Sequence, residues 1–185
     1  MPKSYSKSKK TPNWYVITGG PCSGKTTTIN ELAKLGYLTV PETARIYIEK
    51  ELAKGRILEE IRKNEDKFQR KVLEMKIKIE NKLPKEQIIF LDRAIPDSIS
   101  YYQIYGLNLE EVIKVCEKGR YKKIFFLEQL PFEKDSARIE DGKTANKLSK
   151  FLKESYKNLG YEVIDIPAVS VEKRVQRILR EIEKS

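Results

Sequence analysis

The chain of 185 residues contains no histidine. This absence excludes catalytic sites of the Ser-His-Asp and Cys-His types, and it excludes metal centres that depend on imidazole ligands. Any general base must therefore be Asp, Glu, Lys, Tyr or water. The two cysteines, Cys22 and Cys116, are too few for a disulfide framework, so we predict a reducing, cytoplasmic compartment.

The sequence also lacks long apolar runs. None approaches the roughly 18 residues that cross a bilayer, and the first residues show no signal-peptide core, so we predict no membrane partner. Acidic residues are outnumbered by basic ones, which gives a formal net charge of +10. A basic balance suits a protein that handles nucleotides or nucleic acid, and it equally suits a solvated basic surface without specific meaning.

One stretch, Gly19-Gly20-Pro21-Cys22-Ser23-Gly24-Lys25-Thr26, matches the phosphate-loop (Walker A) pattern G-x-x-x-x-G-K-[ST]. The preceding residues, Trp14 to Thr18, are aromatic and β-branched, which is typical of a buried strand. Residues 27–35, after the loop, carry apolar side chains along one helical face. Because the motif requires this strand–loop–helix context, we favour a phosphate loop over a chance Gly-rich turn.

The residue types of the loop explain how it would hold a polyphosphate. Glycines let successive backbone N–H groups curve around the anion, and the next helix directs its positive end at it. Lys25 would reach the terminal phosphates, the Thr26 hydroxyl would bind Mg²⁺, and Thr27 completes the nucleotide-binding set. We therefore predict ATP or GTP with Mg²⁺. We predict that a thiol reagent inactivates the protein at Cys22 and that bound nucleotide protects it. The alternative is that Cys22 merely fills space in the loop.

A second candidate site follows the short strand predicted at residues 37–40. Glu42 and Arg45 come just after this strand, and α/β proteins bind ligands in the crevice beyond the carboxyl ends of their strands. Both residues are therefore placed to hold a phosphoryl acceptor. The alternative is that Glu42 only caps the next helix and that Arg45 is a surface residue.

A third candidate site follows the apolar run at residues 87–91, which predicts a strand buried on both faces. Asp92 ends this strand, where a phosphate-loop protein is expected to place the acid on the Mg²⁺ side. Arg93 comes next and can lean over the transferring phosphates. Asp97 or Ser98 is the candidate helix cap, and Asp97 is also a candidate substrate contact. Tyr101 begins a group of tyrosines that either line a pocket for a flat ring or pack in the core.

The strand–helix alternation over residues 13–185 predicts a single three-layer α/β/α domain around a five-stranded parallel sheet. One long helix is predicted from Leu58 to Lys82, with an apolar stripe at three- and four-residue spacing. Residues 1–12 are rich in Lys and Ser and predict a flexible basic leader, with a nucleic-acid arm as the alternative. A polar stretch at about 129–146 predicts a lid whose Arg138 closes on phosphate.

At these residues the chain resembles the phosphate-loop kinases of small metabolites. Val40-Pro41-Glu42 resembles the strand end of deoxynucleoside kinases, where a Glu contacts the acceptor hydroxyl. Asp92-Arg93 resembles the segment of thymidylate and deoxynucleoside kinases whose Arg touches phosphates. Over nearly its whole length, the chain is also similar to the AAA-type ATPase-like group related to the nicotinamide ribose kinase domain. The resemblance implies a P-loop NTPase fold of the nucleoside/nucleotide-kinase type, with strand order 2-3-1-4-5.

The function that the resemblance implies is transfer of the γ-phosphoryl group of ATP to a hydroxyl of a small nucleoside- or riboside-like acceptor. Lys25, Arg93 and Arg138 would act on the phosphates, and Glu42 would hold the acceptor hydroxyl or accept its proton. The alternative is an NTP hydrolase or nucleotide-dependent switch that acts on protein or nucleic-acid partners. No nucleic-acid recognition motif accompanies the basic charge, so nucleic acid is not the expected partner, and a homodimer stays open.

Overall fold

The computed structural model describes residues 11–116, 120–130 and 142–184. Within these ranges the chain forms five strands and eight helices. The strands are β1 (Trp14–Thr18), β2 (Leu38–Val40), β3 (Ile89–Asp92), β4 (Lys123–Leu127) and β5 (Val163–Ile166). The helices are α1 (Lys25–Lys34), α2 (Thr43–Leu52), α3 (Leu58–Arg62), α4 (Glu65–Glu80), α5 (Asp97–Ile104), α6 (Glu110–Cys116), α7 (Gly142–Asn158) and α8 (Val171–Glu183).

The five strands are parallel and form one sheet in the order β2-β3-β1-β4-β5. In the central strand, Val16 pairs with Leu91 of β3 on one side and with Ile124 of β4 on the other. Every residue of β1 and β3 is buried, as expected for strands that are covered on both faces. The predicted fold class and strand order are confirmed. Because the strands are parallel, the ends of β1, β2 and β3 lie at the same edge of the sheet.

Apolar clusters cover both faces of this sheet. On one face, Ile17 packs in a cluster with Leu32 of α1 and Ile178 of α8. On the other face, Val16 packs in a cluster with Tyr156 of α7. Burying one large apolar side chain stabilises a fold by about 1.5–3 kcal/mol, so the clusters hold the strand ends in fixed positions.

The helix predicted from Leu58 to Lys82 is in fact two helices. α3 ends at Arg62, and the side chain of Asn64 accepts a hydrogen bond of 2.9 Å from the backbone N–H of Lys67 to start α4. An Asn in this position stabilises a helix start by about 0.5–2 kcal/mol, and its own backbone is extended rather than helical. The cap therefore divides the segment into two helices.

The buried face of α4 contains charged residues that the predicted apolar stripe did not include. Lys76 Nζ donates to the carbonyl oxygen of Ala94 at 2.9 Å, and Glu80 Oε1 accepts from the backbone N–H of Ile95 at 3.1 Å. Burial lowers the pKa of Lys76 and raises that of Glu80 to about 7. These contacts fasten α4 to the segment that follows β3, which is the segment that carries Arg93.

Some of the sequence predictions concern residues outside the described ranges. Residues 1–10 of the predicted leader and residues 131–141 of the predicted lid, including Arg138, are among them. Pro12, the last residue of the predicted leader, is buried, and α7 already begins at Gly142. None of the helices in the described part of the chain is long and apolar enough to span a membrane.

Candidate active site

The phosphate-loop sequence forms the turn between β1 and α1, and its backbone requires two of the glycines. Gly19 has φ +148°, and a Cβ there would lie 2.5 Å from the carbonyl oxygen of Leu127 in β4. Gly24 has φ +76°, in the left-handed region that favours glycine. Side chains at these two positions would therefore displace the loop from the end of the sheet.

Gly20 is crowded by the close approach of α7, at the rotatable end of a serine side chain. A Cβ on Gly20 would collide with the Oγ atom of Ser149 in α7. α7 begins at Gly142, within the predicted lid at about 129–146. The loop therefore packs against a helix as well as against the sheet.

The loop lines an open cleft of about 480 Å³, here called the phosphate cleft. Its lining includes loop residues Pro21 to Thr27 together with residues from other elements: Glu42, Arg45, Arg93, Tyr101 and Leu148. The fold thus brings the three candidate sites of the sequence to one place. Gly19 and Gly20, also predicted to bind nucleotide, are buried. The α1 N-terminus begins at Lys25, so its free N–H groups and positive dipole end belong to this cleft.

Lys25 is nearly buried within the loop. Its Nζ donates to the carbonyl oxygen of Gly20 at 2.8 Å and to the Ser23 hydroxyl at 3.2 Å. Burial, and then the charge of Arg93, lower the pKa of Lys25 to about 8. Both hydrogen-bond partners are uncharged, so a phosphate anion would stabilise this ammonium group better than the loop does alone.

Asp92 and Thr26 fit a site for Mg²⁺. Asp92 Oδ1 is buried and has no hydrogen-bond partner among the described residues. Burial, and then the charge of Glu42, raise the pKa of Asp92 to about 6. Thr26 is exposed in the phosphate cleft. Over the described ranges, no group of three or more Cys, Asp and Glu could hold a metal, so phosphate oxygens and water would have to supply the other ligands, as Mg²⁺ prefers.

The raised pKa of Asp92 predicts a pH dependence. The carboxyl takes up a proton as the pH falls through about 6, so Mg²⁺-dependent nucleotide binding should weaken over that interval. A carboxyl whose pKa folding has raised contributes stability at low pH that is lost as the pH rises through the folded value. Asp92→Asn should therefore weaken the Mg²⁺ dependence and leave the free protein at least as stable as wild type at neutral pH.

The measurement is a Mg²⁺ titration of nucleotide binding across this pH range, with a melting temperature for each sample. Asp66→Asn is the matched control: its side chain is 48% exposed in the first turn of α4 and pairs with Arg70 at 3.0 Å, and the variant should keep the wild-type Mg²⁺ dependence. Unchanged Mg²⁺ dependence in a folded Asp92→Asn protein would remove Asp92 from the metal site.

Arg93 joins two carboxylates at the floor of the site. Its Nε lies 3.2 Å from Glu42 Oε1, and its Nη1 lies 3.2 Å from Asp97 Oδ1. Arg93 directly follows β3 and has φ +63°, a conformation that residues other than glycine adopt uncommonly and that occurs often at functional sites. It lines the phosphate cleft as predicted, but its guanidinium is held by these carboxylates rather than free over the loop.

Asp97 is fully buried and lines neither cleft of the site. Its four hydrogen-bond donors come from the protein, two at each oxygen: Thr18 and Arg93 at Oδ1, and the Ala94 N–H and the Tyr156 hydroxyl at Oδ2. The substrate contact predicted for Asp97 therefore does not fit the structure, because both oxygens are already used. Asp97 is also not a helix cap, since α5 begins with it. It positions Arg93.

A second cleft of about 240 Å³, here called the acceptor cleft, adjoins the phosphate cleft. Four residues line both: Glu42, Arg45, Arg93 and Tyr101. Glu42 is the N-cap residue of α2, but its side chain makes no capping hydrogen bond and is bonded to Arg93 instead. The alternative in which Glu42 serves only as a helix cap is therefore not supported. Arg45 is exposed and pairs with Glu49 at 3.7 Å, a distance at which such pairs contribute little.

Sequence reasoning missed the side of the acceptor cleft that α3 and α4 form. The guanidinium of Arg62 lies 4.5 Å from the Phe68 ring and 5.9 Å from the Tyr105 ring, and it donates to the Tyr105 hydroxyl at 2.9 Å. Tyr101 and Tyr105 line the cleft, whereas Tyr102 is buried in the core. Two of the tyrosines thus line a pocket and the third packs in the core, as the two interpretations of this group allowed. The sequence signal that could have revealed this side of the acceptor cleft is Asn64, the cap residue between α3 and α4.

The sequence matches the model of a family described as "AAA domain" over residues 14–174. A comparison with curated proteins finds no match. Solved structures with similar folds include the three that follow. The NadR protein in complex with NR has a TM-score of 0.69 and 19% identity over 92% of this chain and 50% of that chain, so this chain spans half of its length. Thymidylate kinase from Ehrlichia chaffeensis has a TM-score of 0.66 and 14% identity over 91% and 97% of the two chains. Deoxyadenosine kinase from M. mycoides has a TM-score of 0.64 and 16% identity over 92% and 98%. The fold is that of the P-loop kinases.

Proposed function

Since the chain belongs to the AAA domain family, we propose that it transfers the γ-phosphoryl group of ATP to a hydroxyl of a small nucleoside- or riboside-like metabolite. It is an enzyme of the P-loop kinase or NTPase class. The observation that carries the proposal is the junction of the two clefts, where Glu42, Arg45, Arg93 and Tyr101 line both. A transfer between two substrates requires two binding sites that meet, whereas hydrolysis requires only one site and water.

On the donor side, the loop amides and the start of α1 bind the phosphates. Lys25 neutralises the charge that develops on the transferring group, which is usually the largest contribution to catalysis. Asp92 and Thr26 would hold Mg²⁺, which would supply further neutralisation of the phosphate charge. Arg138 stays a prediction for the lid, since it lies outside the described residues.

On the acceptor side, the shape and lining of the acceptor cleft favour one small molecule. Its volume of about 240 Å³ lies just below the usual range of ligand pockets, which favours a small acceptor over a folded protein segment. Phe68, Tyr101 and Tyr105 offer aromatic surface for a flat ring. Glu42 then lies where the acceptor hydroxyl meets the phosphate cleft. The similar structures include a thymidylate kinase and a deoxyadenosine kinase, whose names specify nucleoside-containing acceptors.

The test is ATP turnover with and without a panel of nucleosides and ribosides, with the product identified by mass spectrometry. We expect ADP release that depends on one class of acceptor and a product heavier by one phosphoryl group. ADP release that ignores every acceptor, or that only RNA or a protein partner stimulates, would favour the hydrolase or switch function instead.

Cys22 provides an independent test of the phosphate cleft. It is partly exposed and lines this cleft, whereas Cys116 is buried. An alkylating reagent should therefore inactivate the protein, and Mg²⁺–nucleotide should protect it. Cys116→Ser should respond as wild type does, and Cys22→Ser should keep its activity after treatment. Resistance of the wild type to the reagent without nucleotide would show that Cys22 is not accessible. Inactivity of Cys22→Ser before treatment would show that the thiol itself is needed for activity.

A further inference from the structure

A buried arginine lies behind the phosphate loop. Arg174 belongs to α8, and only 1% of its surface is exposed. Its guanidinium donates to three backbone carbonyl oxygens: that of Ser23 through Nη1, that of Pro167 through Nε at 3.1 Å, and that of Glu128 through Nη2 at 3.2 Å. Ser23 is in the phosphate loop, Glu128 directly follows β4, and Pro167 directly follows β5. One side chain thus connects the loop to the ends of two strands.

Burying an arginine costs more free energy than filling the same space with an apolar side chain. A buried charge loses its hydration, and its three hydrogen-bond partners here are uncharged carbonyls. An apolar side chain of similar size is often at least as stabilising in such a place. Packing alone therefore does not account for an arginine at this position. The hydrogen bonds of its guanidinium offer another explanation.

The bond to Ser23 fixes the orientation of one peptide group. In a trans peptide the C=O and the N–H point in opposite directions, and none of the described peptide bonds is cis. The carbonyl of Ser23 points backwards to Arg174, so the N–H of Gly24 points away from it, on the side of the loop that faces the phosphate cleft. Gly24 lines that cleft, and its φ of +76° is compatible with this arrangement.

A cation on the carbonyl also strengthens the N–H as a donor, since hydrogen bonds in a chain polarise one another. We propose that Arg174 is a positioning residue for the triphosphate, which holds the Ser23–Gly24 peptide with its N–H directed into the phosphate cleft. This inference rests on the triphosphate part of the proposed function and is independent of the acceptor.

The test compares Arg174→Met, Arg174→Lys and the control Arg177→Met, which changes an exposed arginine of the same helix. For each full-length protein, calorimetry gives the affinity for a non-hydrolysable ATP analogue with Mg²⁺, and circular dichroism gives the fold and melting temperature. We expect Arg174→Met to weaken binding by about tenfold or more, as for the loss of a hydrogen bond to a charged group. Arg174→Lys should be intermediate because it keeps the charge but not the fork of donors. Arg177→Met should match wild type.

A purely structural role gives a different pattern, in which the melting temperature falls and the affinity of the folded fraction stays unchanged. Wild-type affinity in folded Arg174→Met overturns the inference; if that variant does not fold, wild-type affinity in Arg174→Lys overturns it. In steady-state assays the KM for ATP should rise and the KM for the acceptor should not. Failure of the wild type to bind the analogue would overturn this inference and the proposed function together, whereas normal binding without phosphoryl transfer would overturn only the proposed function.

Discussion

Replacing Lys25 with methionine should reduce phosphoryl transfer by about 10²–10³-fold or more while the protein stays folded. Among the described residues, its side chain donates hydrogen bonds only to Gly20 and Ser23 of its own loop, and burial already lowers its pKa to about 8. Removing a buried cation with uncharged partners relieves a desolvation penalty. We therefore expect the free Lys25→Met protein to melt at or above the wild-type temperature, although its turnover is nearly lost.

Turnover and melting temperature should be measured on the same samples. Lys34→Met is the matched control, because Lys34 lies at the other end of α1 with 70% of its side chain exposed, and it should keep wild-type turnover. Wild-type turnover in folded Lys25→Met would show that the loop does not act on the transferring phosphate. A large loss of stability would instead show that Lys25 supports the fold.

The sequence predicts most of the sheet because its signals are local. Apolar runs at β1 and β3 and the loop between β1 and α1 can be recognised within about ten residues, which is the range of hydrophobic periodicity. The order of the strands has no such local signal, and the prediction that proved correct came from resemblance to known kinases. The convergence of Glu42, Asp92 and the loop also followed from a general rule, since the carboxyl ends of parallel strands share one edge.

What sequence reasoning missed depends on contacts between distant elements. The break between α3 and α4 depends on one side chain, Asn64, within a stretch of otherwise helical composition. Asp97 accepts one of its hydrogen bonds from the hydroxyl of Tyr156 in α7, and no local sequence pattern shows this contact. The sequence contains a weak signal for the buried position of Arg174. The residue lies next to Val175 on the apolar face of α8, where a charged residue is unexpected.

Replacing Glu42 with glutamine should separate phosphoryl transfer from nucleotide binding. Glutamine keeps the size of the side chain and an oxygen that can still accept from Arg93, but it loses the charge and the basicity. Acceptor-dependent turnover should fall by about 10²–10⁴-fold if Glu42 takes the proton, and by less if it mainly orients the hydroxyl. Affinity for Mg²⁺–ATP should be retained, because the charge of Glu42 raises the pKa of Asp92 and its removal favours the ionised metal ligand.

Melting temperature and turnover, measured together, decide between this role and a helix cap. The Glu42 side chain makes no capping hydrogen bond, so its replacement should affect stability through the ion pair with the buried Arg93, and turnover should fall as well. A cap would instead lose about 1 kcal/mol with turnover intact. Glu59→Gln, exposed in the first turn of α3, serves as the control for a lost surface charge. Unchanged acceptor-dependent turnover in folded Glu42→Gln would remove the residue from the reaction.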